Sequence, residues 1–272
     1  MGDWTPADRR FSELPARLLS AIILIPLALG AVWVGGFWLA AACAVFAYVM
    51  MMEWCGMSAS PNQHVLAGMS GLFALSMPFE VDTLTPALAA ATFSTAVFGA
   101  RPGFKQRVTA GFGVIYVLAM IGCLYQLREG PWDGRFVALY FMSFVWASDS
   151  AAYFAGRALG GPKLLPKESP NKTWSGAVGA VVACGICGYF ASAIEGVNPL
   201  PWIACGIVIS VMAQVGDLFE SGLKRRFNVK DSGHILPGHG GLLDRVDGLG
   251  AVCVSGVLAL TLLPNLSPML GL

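Results

Sequence analysis

Charge is what this chain has least of. Only 12% of its 272 residues are Asp, Glu, Lys or Arg, against roughly 25% in an average soluble domain, while 56% belong to the apolar set. So thin a polar coat excludes an ordinary water-soluble domain and leaves lipid as the solvent. Histidine is scarcer still, with three residues. Cys184 and Cys187 form a CxxC inside the apolar run VVACGICGYF, and no second metal-ligand pair accompanies them. That excludes a zinc-ribbon reading, and the seven cysteines, an odd number, are expected to act as small packing residues in helices. The net charge of +1 offers no global attraction for nucleic acid. Fixed-period repeats and low-complexity tracts are absent. Arg9, Arg10 and Arg17 precede the first apolar run as they would in a signal peptide, but no short apolar core with a cleavage pattern follows, so that run is expected to be retained.

Long apolar runs are what the chain has in abundance. A helix crossing the hydrocarbon layer needs about 20 mostly apolar residues and must satisfy its own backbone. That template predicts an all-α polytopic membrane protein with nine spans, near 16–34, 37–53, 64–80, 83–100, 108–127, 135–154, 174–194, 201–217 and 248–266. The 33 glycines and 16 prolines agree, since both are commoner in membrane helices than in soluble ones. The third and fourth runs are the shortest and are interrupted by Gly or Pro. With the N-terminus in the cytoplasm and the C-terminus outside, 15 of the 17 basic residues fall on the inner side and only Arg128 and Arg135 fall outside, as the positive-inside rule requires. Residues 1–130, spans one to five, read as a membrane scaffold or dimerisation surface; residues 131–272, spans six to nine, hold nearly all the unusual polar groups, with cytoplasmic loops at 155–173 and 217–247.

Three polar clusters gather on that inner side. Asp149, Tyr153 and Arg157, with Ser148 and Ser150 beside them, are spaced to share one helix face, and an acid within a span is a functional candidate by default. The segment from Gly160 to Gly176 carries Lys163, Lys167, Lys172, Ser169 and Thr173 among three prolines, a set able to wrap an anion or to touch acidic headgroups. The third cluster runs from Gly216 to Asp247. If the eighth helix continues beyond the membrane, Asp217, Ser221 and Lys224 line one face, while Asp244 and Asp247 share a face where the ninth begins. Carboxylates so placed repel one another unless a cation lies between them, and oxygen donors at this density suit Mg2+ bridging to phosphates. The Pro237-Gly238-His239-Gly240-Gly241 turn lets the backbone approach a ligand closely.

The stretch SGLKRRFNVKDSGHILPGHGGLLDRVD, Ser221 to Asp247, resembles the signature of the phosphatidate cytidylyltransferase family in its Ser-x-x-Lys-Arg start, Lys-Asp-Ser-Gly centre, Pro-Gly-His-Gly-Gly turn and Asp-Arg-x-Asp end. The clusters at Asp149–Arg157 and Lys163–Thr173 are similar to what that family carries upstream. Two positions depart from the pattern: Ser175 stands where a Glu is expected, and Gly248 where Ser is commoner. The resemblance implies that CTP and phosphatidic acid are joined into CDP-diacylglycerol and pyrophosphate, with Mg2+, alone or with a second cation, held by Asp217, Asp244 and Asp247. It implies catalytic roles for Asp217, Lys224, Asp244 and Asp247, and substrate contacts from Asp149, Ser169, Lys172, Ser221, Arg225, Lys230, Asp231, His239 and Arg245. It further suggests a homodimer through first-half helices and a site at the cytoplasmic face of a bacterial inner membrane.

Two other readings compete. A transporter would put polar groups at mid-membrane in several spans, whereas these gather at one face; a CDP-alcohol phosphotransferase would need a DGxxAR…D…D pattern that is absent. The orientation is open to test: reporter fusions at Leu272 and near residue 165 are expected to give opposite readouts, and like readouts would mean a missed or extra span.

Overall fold

The computed structural model describes residues 22, 25–79, 81–100, 103–235 and 240–272. Among them the chain is helical apart from one hairpin: α1 (Ile25–Val34), α2 (Gly36–Ser58), α3 (Gln63–Ser76), α4 (Leu84–Gly99), α5 (Phe104–Glu129), α6 (Gly134–Leu159), β1 (Lys163–Leu165), β2 (Ser169–Thr173), α7 (Trp174–Glu195), α8 (Pro199–Arg226), α9 (Leu243–Leu262) and α10 (Leu266–Leu270). Among the described residues each expected run overlaps a helix, while residues 16–21, 23 and 24 of the first run lie outside them. Five of these, α2, α5, α7, α8 and α9, are long and apolar enough to cross a membrane, while α1 and α4 are apolar but shorter. At 14 residues α3 falls short of the roughly 20 that a bilayer core needs. The segment expected as a plain loop before α7 instead forms an antiparallel hairpin pairing Lys163 with Thr173 and Leu165 with Ser169.

The helices begin and end on local chemistry. Thr173 caps α7 by accepting from the Gly176 amide at 3.2 Å, and Gly196 closes it in the left-handed region at φ 69°. At the start of α8, Asn198 accepts from Leu200 N at 2.9 Å, and Pro199 occupies a position where no amide partner is needed.

The described chain divides into two compact units. One takes the residues up to Ile115 together with Asp231–Arg245; the other takes Tyr116–Lys230 and Val246–Leu272. In the first, α2 buries Leu39, Ala40, Cys43, Ala47, Met50 and Trp54. Trp54 also meets Phe112 with ring centroids 5.6 Å apart, and Gly113 is glycine for a reason, since a Cβ there would lie 1.8 Å from Trp54 Nε1.

The second unit inverts the pattern of a soluble protein. Along α7, Val178, Val182, Ile186, Phe190 and Ile194 are all more than half exposed, one residue per turn on one stripe. The buried stripe is Gly176, Ala180, Cys184, Gly188 and Ala191. Large residues outside and small ones inside are what a helix adopts when lipid surrounds it, because burying apolar area then gains little and close backbone approach gains dispersion and packing. The fit is tight: a Cβ on Gly188 would lie 2.2 Å from the Trp202 carbonyl oxygen, and one on Gly206 would lie 2.2 Å from that of Cys184. Cys184 itself is buried and donates its thiol to Phe144 O at 3.2 Å, in keeping with a packing role.

Helix contacts this close set up a test. Gly206→Ala is expected to force α7 and α8 apart and lower stability by about 1–3 kcal/mol, as overpacking does. Gly68→Ala, where a Cβ meets nothing within 4 Å, should be neutral or stabilise by up to about 1 kcal/mol through helix propensity. Thermal unfolding in detergent compares them, and equal melting of both variants would contradict the tight-contact reading.

Candidate active site

The polar residues singled out in the sequence fall into two groups, one in each unit. In the second unit α8 runs without a break to Arg226, so Asp217, Ser221 and Lys224 do share one helical element. The Ser221 hydroxyl donates to Asp217 Oδ1 at 3.4 Å. Asp217 Oδ2 receives the Lys172 ammonium as an ion pair. Lys172 arrives from β2, so the hairpin delivers this cation to the acid of α8. The hairpin is closed at its base by Trp174 N donating to Pro162 O at 3.1 Å and by the Ser175 hydroxyl donating to Gly160 O. Where the family pattern suggests Glu, this chain therefore uses Ser175 as a local clasp.

Lys224 is buried at 9% exposure, and Glu220, fully buried, accepts from its Nζ at 3.2 Å. The Tyr116 hydroxyl also bonds Glu220. A cation and an anion this far from water are tolerable only when paired and hydrogen-bonded. At the start of α9, Asp247 Oδ1 accepts from the Gly248 amide at 2.7 Å. Its carboxylate lies within electrostatic reach of Asp217 and Asp149 and, with the opposite sign, of Lys224. Gly248 lies against α8, where an added Cβ would come 3.2 Å from the Ala213 carbonyl oxygen, and Gly216 leaves the matching gap for the Asp247 carbonyl and Ala251. The small residues here set how closely α8 and α9 approach.

The α6 cluster is looser. Ser148 is buried and shares a hydrogen bond of 2.9 Å with Ser210 of α8, while Asp149 is exposed. Arg157 donates to the Tyr153 hydroxyl at 2.8 Å, so the shared face expected for that pair is present. Ser169 is half-buried and Arg225 and Lys230 are exposed, with Arg225 donating to Val229 O at 3.2 Å.

In the first unit Ser232, Gly241, Leu242 and Leu243 surround two carboxylates. Asp244, in the first turn of α9, accepts on Oδ2 from Ser232 N and from Gly241 N, both at 2.9 Å. Gly240 beside it takes φ +82°, a conformation that glycine adopts without strain. Asp231 and Arg245 are exposed. His239 lies outside the described residues.

The other carboxylate, Glu53, comes from α2 and is absent from the expected set. It is buried at 5% exposure. Oε1 accepts from Leu242 N at 2.8 Å, while Oε2 accepts from Leu243 N at 2.9 Å and the Ser232 hydroxyl at 3.1 Å. Glu220 is the second residue that sequence reasoning passed over. Glu53 carried a signal, as an acid within an otherwise apolar helix, the same ground on which Asp149 stands out; Glu220 lies among the polar residues of the third cluster, four positions before Lys224.

Relatives extend over nearly all of this architecture. The chain matches the cytidylyltransferase family across residues 15–263. It is 38% identical over 248 residues, 88% of this chain and 90% of the relative, to a phosphatidate cytidylyltransferase of Brucella suis biovar 1 (strain 1330). A protein of the same name from Rickettsia felis (strain ATCC VR-1525 / URRWXCal2) is 42% identical over 145 residues, 50% of this chain and 63% of its own. Another, from Bacillus subtilis (strain 168), is 40% identical over 136 residues, 49% of this chain and 50% of its own. With the family matched from the first apolar run to the end of α9, this chain belongs to the cytidylyltransferase family.

Proposed function

We propose that the chain transfers CMP from CTP to phosphatidic acid, giving CDP-diacylglycerol and pyrophosphate. The observation that carries this reading is the 38% identity across 88% of the chain with a protein named for that activity, joined to the polar groups assembled on α8, α9 and the hairpin.

The chemistry fits the residues. A phosphate monoester oxygen of the lipid attacks the α-phosphorus of CTP, a new P–O bond forms there, and the bond to the bridging oxygen of pyrophosphate breaks. The nucleophile is already anionic, so no strong base is needed; the difficulty is to bring two polyanions together. Lys172, Lys224, Arg225 and Lys230 supply cationic contacts, and Ser221 and the His239 turn supply donors. Glu220 holds the Lys224 ammonium in place. Lys172, paired with Asp217, is a proposed phosphate contact once the charge of Asp217 is compensated otherwise. Asp149, Ser169, Asp231 and Arg245 remain proposed substrate contacts.

Magnesium usually takes one or two carboxylates and completes its shell with phosphate oxygens and waters. Among the described residues no three His, Cys, Asp or Glu side chains converge as a cage, while Asp217 and Asp247 lie within electrostatic reach of each other. That donor set fits a cation that depends on substrate phosphate for its remaining ligands. Asp217 and Asp247 would hold it, with Asp244 a further proposed ligand, and when bound it would neutralise charge on the α-phosphate and the leaving pyrophosphate. The reading also takes the enzyme as a nine-span inner-membrane protein with its N-terminus and site at the cytoplasmic face, acting as a homodimer; the 15-to-2 segregation of basic residues supports the orientation.

Purified protein given labelled CTP, phosphatidic acid and Mg2+ is expected to form CDP-diacylglycerol, and folded protein that forms none would overturn the assignment. Asp217→Ala and Lys224→Ala should cut turnover by orders of magnitude, the several kcal/mol that charge stabilisation supplies. For Asp244 two variants separate structure from charge. Asp244→Asn keeps an oxygen for the Ser232 and Gly241 amides, so it should melt like the parent yet turn over at least about 100-fold more slowly and need more magnesium. Asp244→Ala strands those amides and should lose a further 1–3 kcal/mol or so of stability. An Asp244→Asn enzyme with parental magnesium dependence would remove Asp244 from the ligand set.

A further inference from the structure

We infer that Glu53 is a positioning residue for the transfer reaction: from α2 its carboxylate holds Ser232 and the opening of α9 at Leu242 and Leu243 in the form that presents Asp244. The inference rests on the reading of Asp231–Arg245 as part of the transferase centre.

Both oxygens of Glu53 are used. Oε1 receives Leu242 N, and Oε2 receives Leu243 N and the Ser232 hydroxyl. The two amides stand at the entrance of α9, where helix geometry leaves N–H groups without partners and a negative charge is favoured by the helix dipole. Ser232 then links the two acids, because its hydroxyl donates to Glu53 while its amide donates to Asp244 at 2.9 Å. The turn also leaves room for this carboxylate. A Cβ on Gly233 would lie 2.7 Å from Glu53 Oε1, and one on Gly241 would lie 2.7 Å from Oε2 and 2.0 Å from the Ser232 hydroxyl. Those two glycines are thus the negative image of a side chain in α2.

The geometry dictates what can replace it. Each Glu53 oxygen takes a main-chain N–H, so glutamine, whichever way its amide is turned, must aim an NH2 at one of them. Aspartate keeps both acceptors but is one methylene too short to reach. Alanine leaves two amides without partners. A residue that merely fills space would tolerate Gln; one that fixes the turn would not.

The experiment uses the full chain in detergent with CTP, phosphatidic acid and Mg2+, measuring kcat and KM separately and normalising to folded protein by thermal unfolding. Glu53→Gln is expected to lower kcat roughly 100-fold, as small displacements of reacting groups do, with KM for CTP within about threefold of the parent. Ser232→Ala, which removes one donor and should fold, is expected to lower kcat severalfold at unchanged KM. Hydrogen exchange should show faster exchange at Leu242, Leu243 and Gly241 in Glu53→Gln, with α7 unchanged. A Glu53→Gln enzyme within about twofold of the parental kcat, or one whose loss equals its unfolded fraction, would overturn the proposal. If Glu53→Gln does not fold, parental kcat in Ser232→Ala overturns it instead. Should the parent itself make no CDP-diacylglycerol, the activity reading fails, and hydrogen exchange alone decides: unchanged protection at Leu242, Leu243 and Gly241 in Glu53→Gln would refute positioning.

Discussion

A carboxylate taken out of water has to be met by a counter-ion or by hydrogen-bond donors, or it reverts to the neutral form. In a chain this poor in charge, each buried acid must find those donors within the protein. Glu53 takes two main-chain amides and a hydroxyl. Glu220, fully buried, takes the Lys224 ammonium on Oε1, and the half-buried Glu195 takes the Tyr140 hydroxyl. The requirement explains features that otherwise look unrelated: why glycines stand at 233 and 241, where a Cβ would strike Glu53, and why Lys224 lies against Glu220.

The same scarcity of water shapes the helix packing. With lipid outside, large side chains gain nothing by turning inward, and α7 accordingly shows Val178, Val182, Ile186 and Phe190 to the exterior. Its interior face is built of Gly, Ala and Cys, and the backbones come close enough that a single Cβ at Gly188 or Gly206 would strike a carbonyl oxygen. Rigid helix contacts of that kind suit a transferase whose task is to hold two substrates in line, because geometry rather than acid–base chemistry governs the rate of phosphoryl-type transfer. The polar groups lie at the ends of these helices, where α8 and α9 meet irregular segments and the backbone can bend toward a ligand.

Cations and anions are interleaved rather than segregated in this region. Lys172 lies against Asp217 and Lys224 against Glu220, so each ammonium is held by a carboxylate. That arrangement keeps a strongly charged neighbourhood near neutrality and limits the self-repulsion that a cluster of lysines alone would suffer.

Much of this was legible in the residues before any coordinates. Apolar runs about 20 residues long can only be helices in lipid, since the backbone must bond to itself, and α2, α5, α7, α8 and α9 lie where those runs do. The polar face carrying Asp217, Ser221 and Lys224 followed from helical periodicity alone. The hairpin at 163–173 did not, because three- and five-residue strands flanked by prolines carry too little periodic pattern to separate from a loop. Nor did Glu53, whose partners lie 179 to 190 positions away along the chain. Sequence by itself determined the membrane environment, the helices and the family, because periodicity, hydropathy and a contiguous motif are local properties. Only the tertiary structure decided which acid meets which donor: a hydrogen bond depends on distance in space, and nothing local in α2 says that its one carboxylate will close the turn before α9.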